Sequence, residues 1–177
     1  LCSAINAAHQ HNVVHRDLKP GNVMVATLSG NETTVKVVDF GISKPMHEEN
    51  LKHTQLGTVM GTPGYLAPEQ IRGANINHMA DIYGIGAILH FMITGEAPYR
   101  GASREVIMAK QMRELPPPLS SYSLTDPACE ILQPVVYKAM ALEREQRFAS
   151  TVELWQAFSQ CLRDAGPSDT PTAPDDD

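Results

Sequence analysis

The stretch HRDLKPGN, residues 15–22, decides the fold prediction for this chain of 177 residues. It places Asp17 and Asn22 five residues apart, with the turn-forming pair Pro20 and Gly21 between them. An Asp and an Asn in a loop are ordinary turn formers, so that pair alone has a purely structural interpretation. The full stretch of eight residues is much more specific, and it indicates a functional loop.

A helical pattern and an extended pattern flank this loop. Residues 1–11 carry apolar side chains at helical spacing, which predicts the end of an amphipathic helix. Two β-rich runs at 22–25 and 35–38 enclose the turn sequence Ser-Gly-Asn at 29–31, which predicts a hairpin. The loop is therefore expected between a helix and a small sheet.

Beyond the hairpin the pattern becomes helical after one long irregular segment. Residues 41–67 hold four glycines and two prolines, and a loop of this length inside a compact domain is usually functional. The Pro-Pro-Pro run at 116–118 separates two helical segments. Helices are predicted over residues 78–95, 103–114, 127–141 and 150–163.

Composition and charge exclude several classes of protein. Hydrophobic residues make up 42% and charged residues 19% of the chain, which is ordinary for a globular domain. A net charge of −6 without a Lys/Arg cluster argues against nucleic-acid binding. No signal-peptide pattern occurs, and the longest apolar stretch, Met79 to Gly95, is too short to cross a bilayer. We therefore predict no membrane contact by this segment.

Cysteine and histidine usage gives no metal site. Cys2, Cys129 and Cys161 fit neither a disulfide framework nor a zinc pattern. Reduced thiols predict a cytoplasmic location, or the cytoplasmic face of a membrane in a longer parent protein. The seven scattered histidines, without suitably spaced carboxylates or thiols, are not expected to bind a metal.

The chain is predicted to hold one domain, residues 1–163, followed by a tail, residues 164–177. The tail is rich in Pro, Thr, Ser and Asp and cannot bury enough apolar surface to offset its ordering entropy, so we expect a disordered linker. The first residue is Leu1 rather than Met, and it already lies in a helical pattern. We therefore expect an internal fragment of a longer protein.

Three motifs resemble those of serine/threonine protein kinases. HRDLKPGN is similar to the catalytic loop of that family, DFG at 39–41 to its metal-binding turn, and GTPGYLAPE at 61–69 to the end of its activation segment. The stretch VKVVDFGISK at 35–44 is similar to bacterial Hanks-type, eukaryotic-like kinases. The resemblance covers residues 1–163. It implies the C-terminal lobe of a protein-kinase-like fold, mainly α with a small β-hairpin sheet, from an α+β two-lobed parent.

The resemblance also implies a reaction and the side chains that perform it. The family transfers the γ-phosphoryl group of ATP, with Mg²⁺, to Ser or Thr hydroxyls of proteins, and this chemistry depends mainly on positioning and charge. Asp17 would be the base for the substrate hydroxyl, and Lys19 would contact the γ-phosphate. Asn22 and Asp39 would hold Mg²⁺, which prefers oxygen ligands.

The resemblance assigns further roles to the activation segment. Thr62 is expected to hydrogen-bond the catalytic Asp and Lys, and Pro63 to Tyr65 to receive the substrate residue beyond the phosphoacceptor. A phosphate on Thr54 or Thr58 could pair with Arg16 through charge-assisted hydrogen bonds and order the segment. Alternatively, these threonines are unmodified polar loop residues.

Other matching positions are expected to support the site. Phe40 would pack against His15, and Asp81 would hold the backbone amides of the catalytic loop, although an acid at a helix start has a plainer interpretation. Glu69 and Arg147 would form a buried pair that positions the activation segment. The resemblance assigns structural support to His15, Arg16, Phe40, Gly41, Glu69, Asp81 and Arg147.

The part of a kinase that holds ATP is not visible in the sequence. No Gly-x-Gly-x-x-Gly follows a strand, and no Val-Ala-x-Lys strand precedes the catalytic loop. The N-terminal lobe is therefore expected to be missing. We expect the parent protein to be an enzyme and the fragment alone to be inactive.

Two other interpretations stay open. A small-molecule phosphotransferase of the aminoglycoside-kinase type also uses an Asp and an Asn five apart, although such enzymes usually lack the counterparts of Lys19 and of the segment 61–69. A pseudokinase or scaffold module would be non-catalytic, although the three acidic and amide residues of the site are all present. The expected partners are proteins with Ser or Thr, and a homodimer for trans-autophosphorylation is a further hypothesis.

Overall fold

The computed structural model describes residues 1–27, 33–40, 61–124 and 127–165, without the side chains of residues 127–129. Within these ranges the chain is mainly helical, with one antiparallel sheet of two strands, so the predicted fold class is confirmed. Short 3-10 helices lie at Pro20–Asn22, Leu119–Ser121, Pro127–Leu132 and Arg144–Gln146. The longer elements are α1 (Cys2–Gln10), β1 (Val23–Thr27), β2 (Thr33–Val37), α2 (Pro68–Ile71), α3 (Met79–Thr94), α4 (Arg104–Gln111), α5 (Gln133–Ala139) and α6 (Thr151–Ala165).

The hairpin follows the catalytic loop as expected, but each strand is one residue longer than predicted: β1 begins one residue later, and β2 ends one residue earlier. β1 and β2 pair in the register that places Val23 opposite Val37. Asn22, predicted as the first strand residue, belongs instead to the 3-10 turn Pro20–Asn22, because its amide donates to the carbonyl of Lys19 at 3.0 Å. The turn therefore carries Asn22 into the catalytic loop rather than into the sheet.

The helix predicted over residues 127–141 is divided in two. Residues 127–132 form a 3-10 helix, and α5 begins only at Gln133. Pro134 stands in the first turn of α5, where its missing N–H removes no helical bond; further inside a continuous helix it would break one. The position of this proline explains where the new helix starts.

The central helix α3 is buried all round, from Ala80 to His90. A Cβ added at Gly84 would lie 2.8 Å from the Cβ of Leu18, and one added at Gly86 would lie 2.7 Å from the Cβ of Ala139. The catalytic loop and α5 therefore rest closely against the backbone of α3. Neither α3 nor any other helix in the described ranges combines the length and apolarity needed to span a membrane.

An open apolar groove of about 550 Å³ lies between α1, α3, α6 and the hairpin. Its rim exposes Met92 to 74%, Val25 to 67% and Trp155 to 54%. The ring of Trp155 stacks on that of Phe158, with 5.6 Å between their centroids. The groove is lined by none of the predicted site residues.

Candidate active site

The catalytic loop is held by the carboxylate of Asp81, in the first turn of α3. Its Oδ2 accepts the backbone amide of His15 at 2.8 Å, and its Oδ1 accepts that of Arg16 at 2.9 Å. Arg16 has φ +69°, a left-handed conformation that is uncommon for a residue with a side chain. Because Asp81 is only 1% exposed, these two bonds fix the loop with little competition from water.

Asp17, Lys19 and Asn22 form one hydrogen-bonded cluster. Lys19 Nζ donates to Asp17 Oδ2 at 2.9 Å, and Asn22 Nδ2 donates to the backbone carbonyl of Asp17 at 2.8 Å. Asn22 is buried, whereas the side chains of Asp17 and Lys19 are 18% and 29% exposed. The buried amide of Asn22 therefore anchors Asp17, and the carboxylate of Asp17 binds Lys19 where solvent, or a substrate, can reach both.

Asp39 is brought beside this cluster by the end of the hairpin. The amide of Val38 donates to the carbonyl of Asn22 at 3.0 Å, so Asp39 directly follows the residue that pairs with Asn22. His15 supports the same turn: its Nε2 lies 2.9 Å from the Val38 carbonyl, and its ring centroid lies 4.6 Å from that of Phe40. The side chain of Asp39 is exposed, and its backbone φ is +56°.

Asn22 and Asp39 offer two oxygen ligands of the kind that Mg²⁺ prefers. Because Asn22 Nδ2 donates to Asp17, its Oδ1 is the atom of this amide that could bind a cation. Mg²⁺ at phosphotransfer sites takes one or two carboxylates and completes its shell with water and phosphate oxygens. In the described part of the chain, no group of three or more His, Cys, Asp or Glu could hold a metal. The donor set thus fits Mg²⁺ that arrives with phosphates.

Lys19 also connects the catalytic loop to the segment 61–69. Its Nζ donates to Thr62 Oγ1 at 3.2 Å. Of the two bonds predicted for Thr62, the one to Lys19 is present, whereas none to Asp17 occurs among the described residues. The amide of Tyr65 donates to the Thr62 carbonyl at 3.2 Å and closes a turn, and burial raises the pKa of the Tyr65 hydroxyl.

A buried ion pair joins α2 to the turn before α6. Arg147 donates from Nη1 and Nη2 to the two carboxylate oxygens of Glu69 at 2.7 and 2.8 Å, and the two residues are 4% and 5% exposed. The guanidinium also donates to the carbonyls of Met79 and Ala141, at 2.9 Å each. Such a fully hydrogen-bonded pair holds its segments in one geometry, whatever its net stabilisation.

Three predicted site residues, Gly41, Thr54 and Thr58, lie outside the described residues. Arg16, the predicted partner of a phosphothreonine, lies within them. Its Nε is buried and has no hydrogen-bond partner in the described ranges. Its backbone carbonyl accepts Gln70 Nε2 at 2.7 Å.

Sequence reasoning missed two residues that support the catalytic loop and Asp81. His9 Nε2 lies 2.8 Å from Asp81 Oδ2, and Gln70 links the carbonyl of Arg16 to the amide of Ala67, which its Oε1 accepts at 2.9 Å. No motif contains His9, and the kinase-like stretch 61–70, which ends at Gln70, predicts no role for that residue. His9 and Asp81 are separated by 72 positions, so only the folded structure, which places His9 beside the start of α3, reveals the contact.

Comparisons by sequence match this chain to protein kinases. The family model for the protein kinase domain matches residues 1–159. The serine/threonine-protein kinase Pkn1 of Myxococcus xanthus is 38% identical over 164 residues, which are 92% of this chain and 23% of that protein. The probable serine/threonine-protein kinase PknB of Lactococcus lactis is 42% identical over 154 residues, covering 87% of this chain and 23% of that protein.

A comparison with solved structures also finds a protein kinase domain. The kinase domain of PknI from Mycobacterium tuberculosis matches with a TM-score of 0.65 and 26% identity, covering 90% of this chain and 51% of that one. The chain therefore spans about a quarter of the curated relatives and about half of this solved domain. This chain belongs to the protein kinase domain family, and its resemblance to bacterial serine/threonine kinases is confirmed.

Proposed function

We propose that this chain is the C-terminal part of a kinase domain that transfers the γ-phosphoryl group of ATP, with Mg²⁺, to Ser or Thr hydroxyls of proteins. The observation that carries the proposal is the position of Lys19, whose Nζ donates to both Asp17 and Thr62. One cation therefore joins the candidate base to the segment that would receive the substrate. The names of the relatives support the same reaction.

Asp17 acts on the substrate hydroxyl in this proposal. Its carboxylate accepts the hydroxyl proton as the oxygen bonds to the γ-phosphorus, while the bond from that phosphorus to the bridging oxygen breaks and ADP leaves. Lys19, 2.9 Å from the same carboxylate, balances the negative charge of the phosphoryl oxygens that approach it. The proton on Asp17 then passes to water, which restores the base.

Asn22 and Asp39 would hold Mg²⁺, which would supply positive charge to neutralise the phosphate oxygens. The bond from Asn22 to the Asp17 carbonyl orients its ligand oxygen in advance. His15 and Phe40, in ring contact, support the turn that carries Asp39. The chain's own part in metal binding is therefore to keep two oxygens in place before the metal arrives.

Contacts to the adenine ring and to the α- and β-phosphates would come from outside these residues. The sequence contains no Gly-x-Gly-x-x-Gly after a strand, and it spans 51% of the solved kinase domain that it resembles. We propose that this chain acts together with that remaining part, in what is called the full-length kinase below.

Regulation through Thr54 or Thr58 is part of the same proposal. A phosphate on either threonine would pair with Arg16, which directly precedes the base. The backbone of Arg16 is held by Asp81 and Gln70. A phosphothreonine paired with the Arg16 side chain would therefore be tied to a fixed part of the catalytic loop. Two copies of the kinase would phosphorylate each other at these sites.

The experiment is phosphoamino-acid analysis after incubation of the full-length kinase with radiolabelled ATP and a generic basic protein. We expect label on serine and threonine, and none when Mg²⁺ is chelated. Label on tyrosine, or only on an aminoglycoside added in parallel, would contradict the assignment. Nucleotide binding without any transfer would identify a non-catalytic module instead.

A further inference from the structure

Gln111, the last residue of α4, is a buried polar side chain that the proposed chemistry does not use. Its exposed fraction is 0%. Its Oε1 accepts the backbone amide of Gly64 at 2.8 Å, and its Nε2 donates to the backbone carbonyl of Leu66 at 2.7 Å. One side-chain amide therefore holds the backbone on both sides of Tyr65.

The backbone that Gln111 holds is the turn proposed to receive the substrate. Gly64 has φ +96°, in the left-handed region that favours glycine. A residue with a side chain would therefore be strained at this position of the turn. At its other end the turn is tied to Lys19 through Thr62, at 3.2 Å. The turn is thus fixed to the catalytic loop at one end and to α4 at the other.

α4 is itself fixed against this segment. Met108 of α4 packs with Leu66 and Ile71 in a small core that is separate from the main one, and Met112 covers it. The helix that carries Gln111 is therefore anchored to the same segment that Gln111 bonds. The turn is therefore held by α4 through Gln111 and by the catalytic loop through the bond from Lys19 to Thr62.

Resting on the proposed function, we propose that Gln111 is a positioning residue for the protein substrate. By fixing the peptide groups around Tyr65, it sets the pocket for the residue that follows the phosphoacceptor and the preference for that residue. A buried donor or acceptor without a partner is strongly unfavourable, so the turn stays where both atoms of the amide are bonded. Gln111 acts through the turn, and among the described residues its side chain makes no hydrogen bond to Lys19, Asn22 or Asp39.

The test uses three variants of the full-length kinase. Gln111→Leu is similar in size and removes both bonds. Gln111→His keeps one acceptor and one donor nitrogen while the imidazole is neutral, and it loses the acceptor on protonation. Gln160→Leu, on the exposed face of α6, is the matched control. The measurements are kcat and KM for two peptides that differ only in the residue after the phosphoacceptor, and KM for ATP.

We expect Gln111→Leu to raise the peptide KM about tenfold, to reduce the preference between the two peptides, and to leave the ATP KM within about twofold. Gln111→His should stay near the wild type at pH 8 and lose peptide affinity relative to it at about pH 5, because burial at this position should hold the pKa of a histidine below its usual value of about 6.5. Gln160→Leu should change nothing.

Unchanged peptide KM and preference in both Gln111 variants would overturn the inference. It would also be overturned if Gln111→Leu lowered the thermal unfolding midpoint and reduced kcat equally for both peptides, since that is a purely structural effect. If Gln111→Leu does not fold, the pH dependence of Gln111→His decides, and a flat ratio to the wild type contradicts the proposal. A wild-type kinase that labels neither peptide would contradict the proposed function itself.

Discussion

The carboxylate of Asp81 accepts the backbone amide of His15 at 2.8 Å, across 66 positions of sequence. The same side chain holds the amide of Arg16, so one buried carboxylate of α3 fixes two consecutive peptide groups just before Asp17. The geometry of the catalytic loop therefore depends on a helix that contributes no reacting group.

Asp81→Asn should lower kcat by roughly 10–100-fold, because misplacement of a reacting group by about 1 Å has an effect of that size. An amide can accept only through one oxygen, so at least one loop amide loses its partner. The matched control is Glu105→Gln, an exposed acid in the first turn of α4. If Asp81 only complemented the helix dipole, the two variants would have equally small effects, about 0.3–1 kcal/mol on stability. Steady-state kinetics and thermal unfolding separate these cases.

Arg147→Met should lower the free energy of unfolding by about 3–5 kcal/mol, because it leaves the Glu69 carboxylate buried without its partner. The double variant Glu69→Met/Arg147→Met should recover part of that loss. Arg100→Met, which breaks an exposed pair with Glu96, is the control and should change stability by about 0–1 kcal/mol. Urea unfolding monitors all three, and equal losses for the two single variants would contradict the buried-pair interpretation.

Stability should fall with acid pH because of His90, which is buried in α3 with its ring edge against Tyr122. Burial lowers the pKa of His90, and the neighbouring Glu96 opposes this shift only in part. The unfolded chain therefore binds a proton at His90 below about pH 6.5, whereas the folded state binds it only at lower pH. The contribution of neutral His90 to the free energy of unfolding is fully present above about pH 6.5 and is lost as the pH falls below it. Thermal unfolding midpoints at pH 8 and 5.5 should show a larger fall in the wild type than in His90→Gln. Parallel falls would show that His90 does not contribute.

Phosphorylation of Thr54 or Thr58 should raise activity through Arg16. The double variant Thr54→Ala/Thr58→Ala should lose the activation, and so should Arg16→Gln, because the charge-assisted partner is missing. Mass spectrometry and transfer rates of the same preparations provide the measurement. A fully active double variant, together with wild-type protein that carries no phosphate on either threonine, would exclude this regulation.

The motif residues of the candidate site lie close together in the structure because the motifs are local. HRDLKPGN and DFG lie close in sequence, and the hairpin between them brings Asn22 and Val38 into contact at 3.0 Å. The helix predicted over residues 78–95 corresponds to α3, Met79–Thr94. The strand boundaries were shifted because the turn at Pro20–Asn22 takes Asn22 out of the strand.

The residues that the sequence did not predict share one property: their roles depend on tertiary packing. His9, Gln70 and Gln111 are common residue types to which no motif assigns a role, and each bonds to backbone or to a carboxylate far away in sequence. Their roles depend on which helix packs beside which loop. A single sequence contains no local signal of that packing, whereas the division of the helix at 127–141 could have been predicted from Pro134.

The most direct test of the central claim is the single-turnover rate of phosphoryl transfer from radiolabelled ATP by the full-length kinase with Asp17→Asn. Asp164→Asn, an exposed residue of α6, is the control and should keep the wild-type rate. We predict that Asp17→Asn lowers the rate by roughly 10²–10⁴-fold, while the affinity for MgATP stays within about threefold. Transfer by Asp17→Asn at the wild-type rate would contradict the assignment of Asp17 as the base.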